Sequence, residues 1–103
     1  MADVSKRLAQ GTATTTTGQA VYTVPTGKKT FIKAMTFCNP GTQDIQFSVF
    51  IANTYIILGH KIKAFDTIII PYLDQIIEAG EPIAITTSQG NLYYYISGRE
   101  VDV

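Results

Sequence analysis

The sequence predicts an all-β protein, an antiparallel β-sandwich or jelly roll of about seven to eight strands. Short runs rich in Val, Ile, Thr, Tyr and Phe recur along the chain, and clusters of Gly, Pro, Asn and Asp separate them about every eight to twelve residues. No stretch has a helical period long enough to matter. The chain has 103 residues, which suits a single core. An immunoglobulin topology is disfavoured, because the chain has one cysteine and no tryptophan.

Residues 1–18 are predicted to form an extended N-terminal arm, and residues 19–103 to form the β-sandwich domain. Apart from the first methionine, the large aliphatic side chains of the arm are Val4 and Leu8. They are too few to offset about 1–2 kcal/mol of backbone entropy for each ordered residue. We therefore expect the arm to become ordered only in contact with a neighbouring subunit.

The second half of this arm is a threonine tract bounded by Gly11 and Gly18. Its β-branched residues favour extended backbone and their hydroxyl groups tolerate water on both faces, so the tract fits either an edge strand or a linker. As a strand it would pair with an exposed sheet edge of the next subunit. Thr14 and Thr16 are the candidate contact residues of this tract.

The stretch from Tyr22 to Asn39 is predicted to be a hairpin. Pro25 fixes its own φ, and Gly27 can adopt a positive φ, so together they supply a turn between a short strand and a long one. The long strand covers residues 30–38 and is apolar on both sides, which indicates that both of its faces are covered.

The alternation of the long strand places Phe31 and Met35 on the same face, together with Phe37. Lys33 interrupts this apolar face. We assign Phe31 and Met35 as candidate contacts with a partner, because a strand with one wet face would alternate more cleanly.

The cleanest alternation follows the turn at residues 39–43. Its apolar side chains are Ile45, Phe47, Val49 and Ile51, with Gln46 and Ser48 opposite. The apolar set must face the core. Further strands are predicted at residues 19–24, 66–72, 83–87 and 92–97, and a weaker pattern predicts a short strand at residues 55–58.

Composition excludes several classes of function. Eight basic residues balance eight acidic ones, so the chain lacks the positive charge that nucleic acid or an anionic membrane surface would require. The N-terminus lacks the apolar core of a secretory signal, and no run approaches the ~18 apolar residues of a membrane span. Charged residues make up only 16% of the chain, against about a quarter in typical soluble domains, which favours a homo-oligomer with additional buried surface.

The sequence contains no pattern of catalytic or metal-binding residues. His60 is the one histidine and Cys38 the one cysteine, and they are too far apart to form a spaced pair of zinc ligands. No serine lies in a Gly-x-Ser-x-Gly elbow. We therefore predict a protein without enzymatic activity, metal or cofactor.

The run Tyr93-Tyr94-Tyr95 is the most informative local feature. Alternation places Tyr94 on the face opposite its two neighbours, so one face presents two tyrosines. Tyrosines spaced in this way contact protein partners or stack on sugars, and ordinary cross-strand packing on a sheet surface explains them equally well.

Two segments carry a resemblance to a known family. They are Val-Tyr-Thr-Val-Pro-Thr-Gly-Lys-Lys-Thr, followed by an apolar strand ending in Cys38-Asn39, and Ile-Glu-Ala-Gly-Glu-Pro-Ile at residues 77–83. They resemble small β-sandwich structural proteins of tailed bacteriophage virions, in which a Tyr-x-Val-Pro-x-Gly-Lys hairpin precedes a long central strand. A Glu-Ala-Gly-Asp type of turn precedes the penultimate hairpin in that family, whereas this chain has Glu81 at the last position.

The resemblance spans roughly residues 20–98 and transfers no catalytic residue. It implies a virion structural protein, made in the host cytoplasm, that binds other virion proteins as a capsid decoration, head-fibre, neck or tail component. The alternative is a carbohydrate- or receptor-binding module that recognises a host-surface glycan through Tyr93 and Tyr95. An acidic or amide residue beside these tyrosines would favour sugar binding, whereas a continuous apolar patch would favour assembly.

Overall fold

The computed structural model describes residues 3–14, 19–71, 75–88 and 91–103. Within these residues the chain forms nine β-strands and no helix. The strands are β1 (Asp3–Ala13), β2 (Gln19–Thr23), β3 (Lys28–Cys38), β4 (Ile45–Ile51), β5 (Thr54–Ile62), β6 (Thr67–Ile70), β7 (Gln75–Ile77), β8 (Pro82–Thr87) and β9 (Leu92–Asp102). The predicted all-β class is confirmed.

The strands form two antiparallel sheets that pack face to face. Sheet A has the order β1-β9-β3-β6, with β7 also paired to β3, and sheet B has the order β2-β8-β4-β5. β6 and β7 pair with different parts of β3, so they act as one interrupted edge strand. Counted in this way, the sandwich has the eight strand positions of a jelly roll.

The predicted hairpin between Tyr22 and Asn39 is wrong, although its turn is in the predicted place. Gly27 has a φ of 81°, and the Lys28 amide donates a hydrogen bond to the Pro25 carbonyl at 3.2 Å. However, β2 pairs in sheet B and β3 in sheet A, so the turn carries the chain from one sheet to the other. Turn residues reverse the chain direction but do not determine which strand becomes the partner.

The prediction of a separate N-terminal arm is wrong for residues 3–13. These residues form β1, which pairs with β9 in the same protomer from Asp3 opposite Val101 to Ala13 opposite Leu92. The backbone hydrogen bonds of this pairing supply the stabilisation that the few apolar side chains alone could not. The domain boundary proposed after residue 18 therefore does not separate β1 from the sandwich.

One extra residue in each neighbour of β9 breaks the regular register. Leu8 in β1 and Lys33 in β3 have no partner in the register with β9, and both bulges lie beside Gly98. A Cβ atom on Gly98 would clash with the Phe31 carbonyl oxygen and would lie 2.8 Å from Leu8 Cδ1. The absence of a side chain at Gly98 therefore allows β1 and β3 to bulge around β9.

The bulge at Lys33 reverses the alternation of β3. Before it, Ile32 is buried and Phe31 lies on the opposite face, whereas after it Met35 and Phe37 are buried. The prediction that Phe31 and Met35 share a face is therefore wrong. Met35 is completely inaccessible to solvent, which excludes it as a partner contact.

The core lies between the two sheets. Phe37 of sheet A packs against Phe47 of sheet B, with their ring centroids 4.7 Å apart. The predicted orientation of β4 is confirmed, because Phe47 is buried and Gln46 is exposed. The other largest fully buried side chains are Ile32, Met35, Ile62, Ile77, Ile83, Ile85, Leu92 and Ile96.

Candidate interaction surface

The outer face of sheet A is organised in rows that cross its strands. Directly opposite residues of antiparallel strands point to the same face, so the register of β1, β9, β3 and β6 defines each row. One row contains Thr12, Tyr93, Cys38 and Thr67, and the next contains Gln10, Tyr95, Thr36 and Ile69. A further row contains Ser5, Arg99, Phe31 and, on β7, Ile76.

Tyr93 and Tyr95 stand on the outer face, and we call this pair the tyrosine ridge. Their side chains are 49% and 47% exposed, whereas Tyr94 between them is 9% exposed. The predicted alternation of the three tyrosines is therefore confirmed. Burial also raises the pKa of the Tyr94 hydroxyl. Because β9 is a central strand paired on both sides, the ridge has a rigid base.

Uncharged polar side chains flank the tyrosine ridge. Gln10 lies opposite Tyr95 and Thr12 opposite Tyr93 on β1, and Thr36 lies opposite Tyr95 on β3. Together with Cys38, these residues and the tyrosines line a shallow depression. The sequence had suggested an amide beside the tyrosines as a sign of sugar binding, and Gln10 occupies that position.

A second shallow depression adjoins Tyr93 at the end of the sandwich. Asn91 and the loop of residues 39–43 line it. The buried side chain of Asn39 fixes this loop, because its amide donates to the carbonyl oxygens of Gln43 at 2.8 Å and Ile62 at 3.2 Å. The polar groups of the loop therefore lie at a defined place beside the ridge.

Aliphatic and aromatic side chains occupy the opposite margin of the same face. Ile69 and Ile76 are 63% and 55% exposed, and Phe31 lies next to Ile76 across the β3–β7 pairing. The Arg99 guanidinium lies 4.5 Å from the centre of the Phe31 ring. We call Phe31, Ile69 and Ile76 the apolar margin.

Phe65 lies in the turn that leads into β6 and is 71% exposed. Its φ of 61° is unusual for a bulky side chain, and the Asp66 amide closes the turn by donating to the Lys63 carbonyl at 3.1 Å. The turn thus holds an aromatic ring in solvent with a strained backbone, at the same edge of sheet A as Ile69. Such strained residues often mark functional positions.

A partly buried ionisable cluster connects the two sheets at the other end of the sandwich. The Tyr22 hydroxyl of sheet B donates to Glu100 Oε2 of sheet A at 2.5 Å, and Lys6 Nζ lies 3.3 Å from Glu100 Oε1. The hydroxyl groups of Tyr22 and Thr30 lie 2.7 Å apart. Glu100 is only 8% exposed, so its negative charge depends on these partners.

The pKa values of this cluster follow from its hydrogen bonds. Burial, together with the hydrogen bond to Glu100, raises the pKa of Tyr22 to about 12. The hydrogen bond from Tyr22, aided by Lys6, holds the pKa of Glu100 below its usual value despite burial. Since the partners all belong to the sandwich itself, we assign the cluster a structural role as a clamp between the sheets.

The structure separates the sequence-predicted contact residues into three groups. Phe31, Tyr93 and Tyr95 lie on the outer face of sheet A, whereas Met35 lies in the core. Thr14 is exposed just beyond the end of β1. The remaining candidate, Thr16, falls outside the described residues.

Sequence reasoning missed Gln10, Ile69, Ile76 and Phe65. The run Thr-Ile-Ile-Ile has no alternation that could show which isoleucine points outward. Gln10 was assigned to the arm, so its position opposite Tyr95 could not be anticipated. Gln10 can be placed beside Tyr95 only if the pairing of β1 with β9 is known, and a single sequence does not show that pairing.

The described part of the chain contains no group of three or more His, Cys, Asp or Glu side chains that could hold a metal ion. His60 lies on β5, with its ring edge against Phe47 at a centroid distance of 5.8 Å. Cys38 is half-buried on the outer face of sheet A beside Tyr93. A search of the same residues for a helix with the length and hydropathy of a membrane span found none.

Comparison with known proteins gives no family assignment. No protein-family model matches the sequence, and no curated protein matches it at a significant level. The fold, the surface of sheet A and the resemblance noted in the sequence are therefore the basis for a functional proposal.

Proposed function

We propose that this protein is a non-enzymatic structural component of a bacteriophage virion, where it binds neighbouring capsid or tail subunits as a homo-oligomer. The observation that carries this proposal is the apolar margin of sheet A. The virion as its location rests on the sequence resemblance described above. Jelly rolls form viral capsid and lectin domains among others, so the fold agrees with the proposal but does not select it.

The apolar margin is a surface that gains free energy when a neighbour covers it. Ile69 and Ile76 are more than half exposed although each could contribute up to about 1.5–3 kcal/mol when fully buried. The exposed ring of Phe65 lies at the same sheet edge. Ile69 and Ile76 stand opposite Thr36 and Phe31 of β3, so they are spread along one edge of the sheet, and apolar side chains exposed along an edge in this way suit an interface.

The edge of sheet A favours contact through side chains over extension of the sheet. β6 has four residues and β7 three, and Pro71 follows β6 without an amide hydrogen to donate. Short, interrupted edges resist pairing with another strand. A neighbour would therefore pack on the apolar margin, with Phe31, Ile69 and Ile76 as anchors.

Self-association of purified protein tests this proposal. Sedimentation equilibrium should detect oligomers of the wild-type chain, and the double variant Ile69→Ser/Ile76→Ser should shift the population towards monomer. The matched control is Ile56→Ser/Leu58→Ser, which removes two exposed aliphatic side chains from β5 of sheet B. We expect the control to associate like the wild type.

The same variants test whether the apolar margin is needed for incorporation into virions. When each is expressed during phage growth, the control should be recovered in purified particles and the margin variant should be depleted. A wild-type protein that stays monomeric and is absent from particles would contradict the proposal, as would equal incorporation of both variants.

A further inference from the structure

We propose that the tyrosine ridge and its polar flanks form a binding site for a neutral saccharide. Tyr93 and Tyr95 would stack on sugar rings, and Gln10, Thr12 and Thr36 would hydrogen-bond the sugar hydroxyl groups. This inference concerns β9 and its flanks, whereas Ile69 of the apolar margin lies at the β6 end of the Tyr95 row, and it does not depend on the proposed self-association.

The spacing of the two rings suits a chain of sugars. Tyr93 and Tyr95 are two residues apart on one strand, which separates their Cα atoms by about 7 Å along β9. Both side chains are about half exposed, so their ring surfaces are accessible while their bases remain packed. Because the adjacent strands β1 and β3 both pair with β9, the two rings are positioned before a ligand arrives.

Small side chains on β3 keep one side of the ridge open. Cys38 lies opposite Tyr93, Thr36 opposite Tyr95, and Ala34 opposite Ser97 in the following row. Neighbouring strands lie about 4.8 Å apart, so large residues at these positions would cover the tyrosine rings. The floor beside the ridge is therefore shallow and accessible to a flat ligand.

The flanks of the ridge provide hydrogen-bonding groups beside the rings. Gln10 is exposed opposite Tyr95, and its Oε1 accepts a hydrogen bond from Arg7 Nη1 at 3.4 Å. That contact directs the amide NH₂ group away from Arg7, where it can donate to a ligand. Thr12 and Thr36 add hydroxyl groups that can both donate and accept.

A sugar ring has an apolar face of C–H groups and a rim of hydroxyl groups. Aromatic side chains interleaved with amide and hydroxyl groups match both parts, since the rings take the apolar face and the polar groups take the rim. The loop of residues 39–43 and Asn91 continue the polar lining beyond Tyr93. The site can therefore extend to more than one sugar unit.

The charge of the surface selects a neutral ligand. The rows of Tyr93 and Tyr95 contain Thr12, Cys38, Thr67, Gln10, Thr36 and Ile69, none of which is charged. The first charged side chain across β1 is Arg7, in the row of Ser97, and its guanidinium reaches towards the Tyr95 row, where it donates to Gln10 Oε1 at 3.4 Å. A phosphate-rich or acidic polymer would require several basic groups along the rings, whereas a single arginine bonded to Gln10 suits a neutral ligand.

A protein partner on the ridge is the competing possibility. The polar flanks distinguish the two, because a protein interface centred on these rings would favour an apolar surround such as the one at Phe31 and Ile76. The ridge and the margin therefore differ in the chemistry of the ligand they suit.

Affinity electrophoresis of the full chain tests this inference. Native gels containing a neutral polysaccharide (mannan, dextran, galactan or β-glucan) should retard the wild-type protein in at least one case, and a gel containing anionic alginate should not. Tyr93→Ser and Tyr95→Ser should each weaken the retarding interaction about fivefold to tenfold. Gln10→Ala should weaken it by a smaller factor.

Tyr55→Ser is the matched control. Tyr55 is 50% exposed, like the ridge tyrosines, but it lies on sheet B with its ring tilted against that of Phe50, the ring centroids being 3.9 Å apart. Its loss should leave retardation unchanged. The inference is overturned if no neutral polysaccharide retards the protein, if alginate does so equally, or if Tyr55→Ser has the same effect as Tyr93→Ser. A change of oligomeric state in the ridge variants without any change in retardation also overturns it.

Discussion

The two faces of β9 carry the same residue type in opposite surroundings. Tyr94 points into the sandwich and is 9% exposed, whereas Tyr93 and Tyr95 point outward and are about half exposed. Further along the strand, inward Glu100 binds Tyr22 across the core, while outward Arg99 covers the Phe31 ring. The inner face thus maintains the fold, and the outer face remains available for binding.

This difference indicates which substitutions should affect stability and which should affect recognition. Side chains on the inner face are packed between the two sheets away from water, so removing one leaves a cavity or an unpaired polar group. Those on the outer face already contact water, so their removal changes stability little.

The largest contrast is expected between two adjacent residues of β4. Phe47→Ala should cost about 3–5 kcal/mol of unfolding free energy, because Phe47 is buried against Phe37 and the cavity cannot refill. Gln46→Ala, on the exposed face, should cost under about 0.5 kcal/mol. Chemical denaturation measures both, and equal midpoints would show that the two faces do not differ.

The second prediction concerns Gly98, between the two bulges. Gly98→Ala should destabilise the protein by about 1–3 kcal/mol, since the new methyl group meets the Phe31 carbonyl oxygen and Leu8. Ser97→Ala, the outward neighbour, should change stability by under about 0.5 kcal/mol. Thermal and chemical unfolding of both variants would check this, and a neutral Gly98→Ala would refute the close approach of the three strands.

The third prediction uses pH to test the clamp between the sheets. Because the pKa of folded Glu100 is lowered, its contribution to stability is complete above about pH 4.5 and is lost as pH falls towards its folded pKa. Because the pKa of folded Tyr22 is raised to about 12, its contribution is complete below pH 10 and is lost as pH rises from 10 to 12.

Tyr22→Phe should therefore reduce the alkaline loss to the part that Tyr94 contributes and weaken the acid loss, while lowering stability at pH 7 by about 1–2 kcal/mol. Denaturant midpoints measured across the pH range give the profile. Tyr55→Phe is the control, because it deletes a hydroxyl group from the outer face of sheet B. Identical profiles for Tyr22→Phe and the wild type would exclude the clamp.

The smallest effect is expected on the tyrosine ridge. Tyr93→Ser and Tyr95→Ser should each change the unfolding free energy by no more than about 0.5 kcal/mol. Tyr94→Ser, by contrast, should destabilise the protein clearly, because Tyr94 is buried. If a ridge variant unfolded as easily as Tyr94→Ser, the outer tyrosines would be part of the fold and not free for a ligand.

Local alternation allowed the fold class, the orientation of β4 and the opposite facing of the three tyrosines to be predicted. Sheet membership was not predictable, because the turn at Pro25 and Gly27 reverses the chain in the same way within one sheet as between two. The bulge at Lys33 also escaped detection. One extra residue inverts every later side chain of β3, which moved Met35 into the core.

The N-terminal strand shows a different limit. Its stability comes from backbone pairing with β9, and its side chains give little sign of that partner. For the same reason the candidate site could be predicted only in part, because Gln10 reaches the tyrosine ridge only through this pairing. The apolar margin could not be predicted either, because the three consecutive isoleucines of β6 show no alternation. In the structure Ile69 is the one of the three that is largely exposed.

We propose that the inner face of sheet A maintains the fold and that its outer face binds partners. Electron cryo-microscopy of intact particles tests it most directly, since the sandwich measures 46 × 22 × 18 Å along its principal axes and its orientation can be fitted. We expect density for the sandwich in the virion, with Ile69 and Ile76 against a neighbouring subunit and Tyr93 and Tyr95 facing solvent. Particles without this density, or a sandwich whose outer face of sheet A contacts no neighbour, would contradict the account.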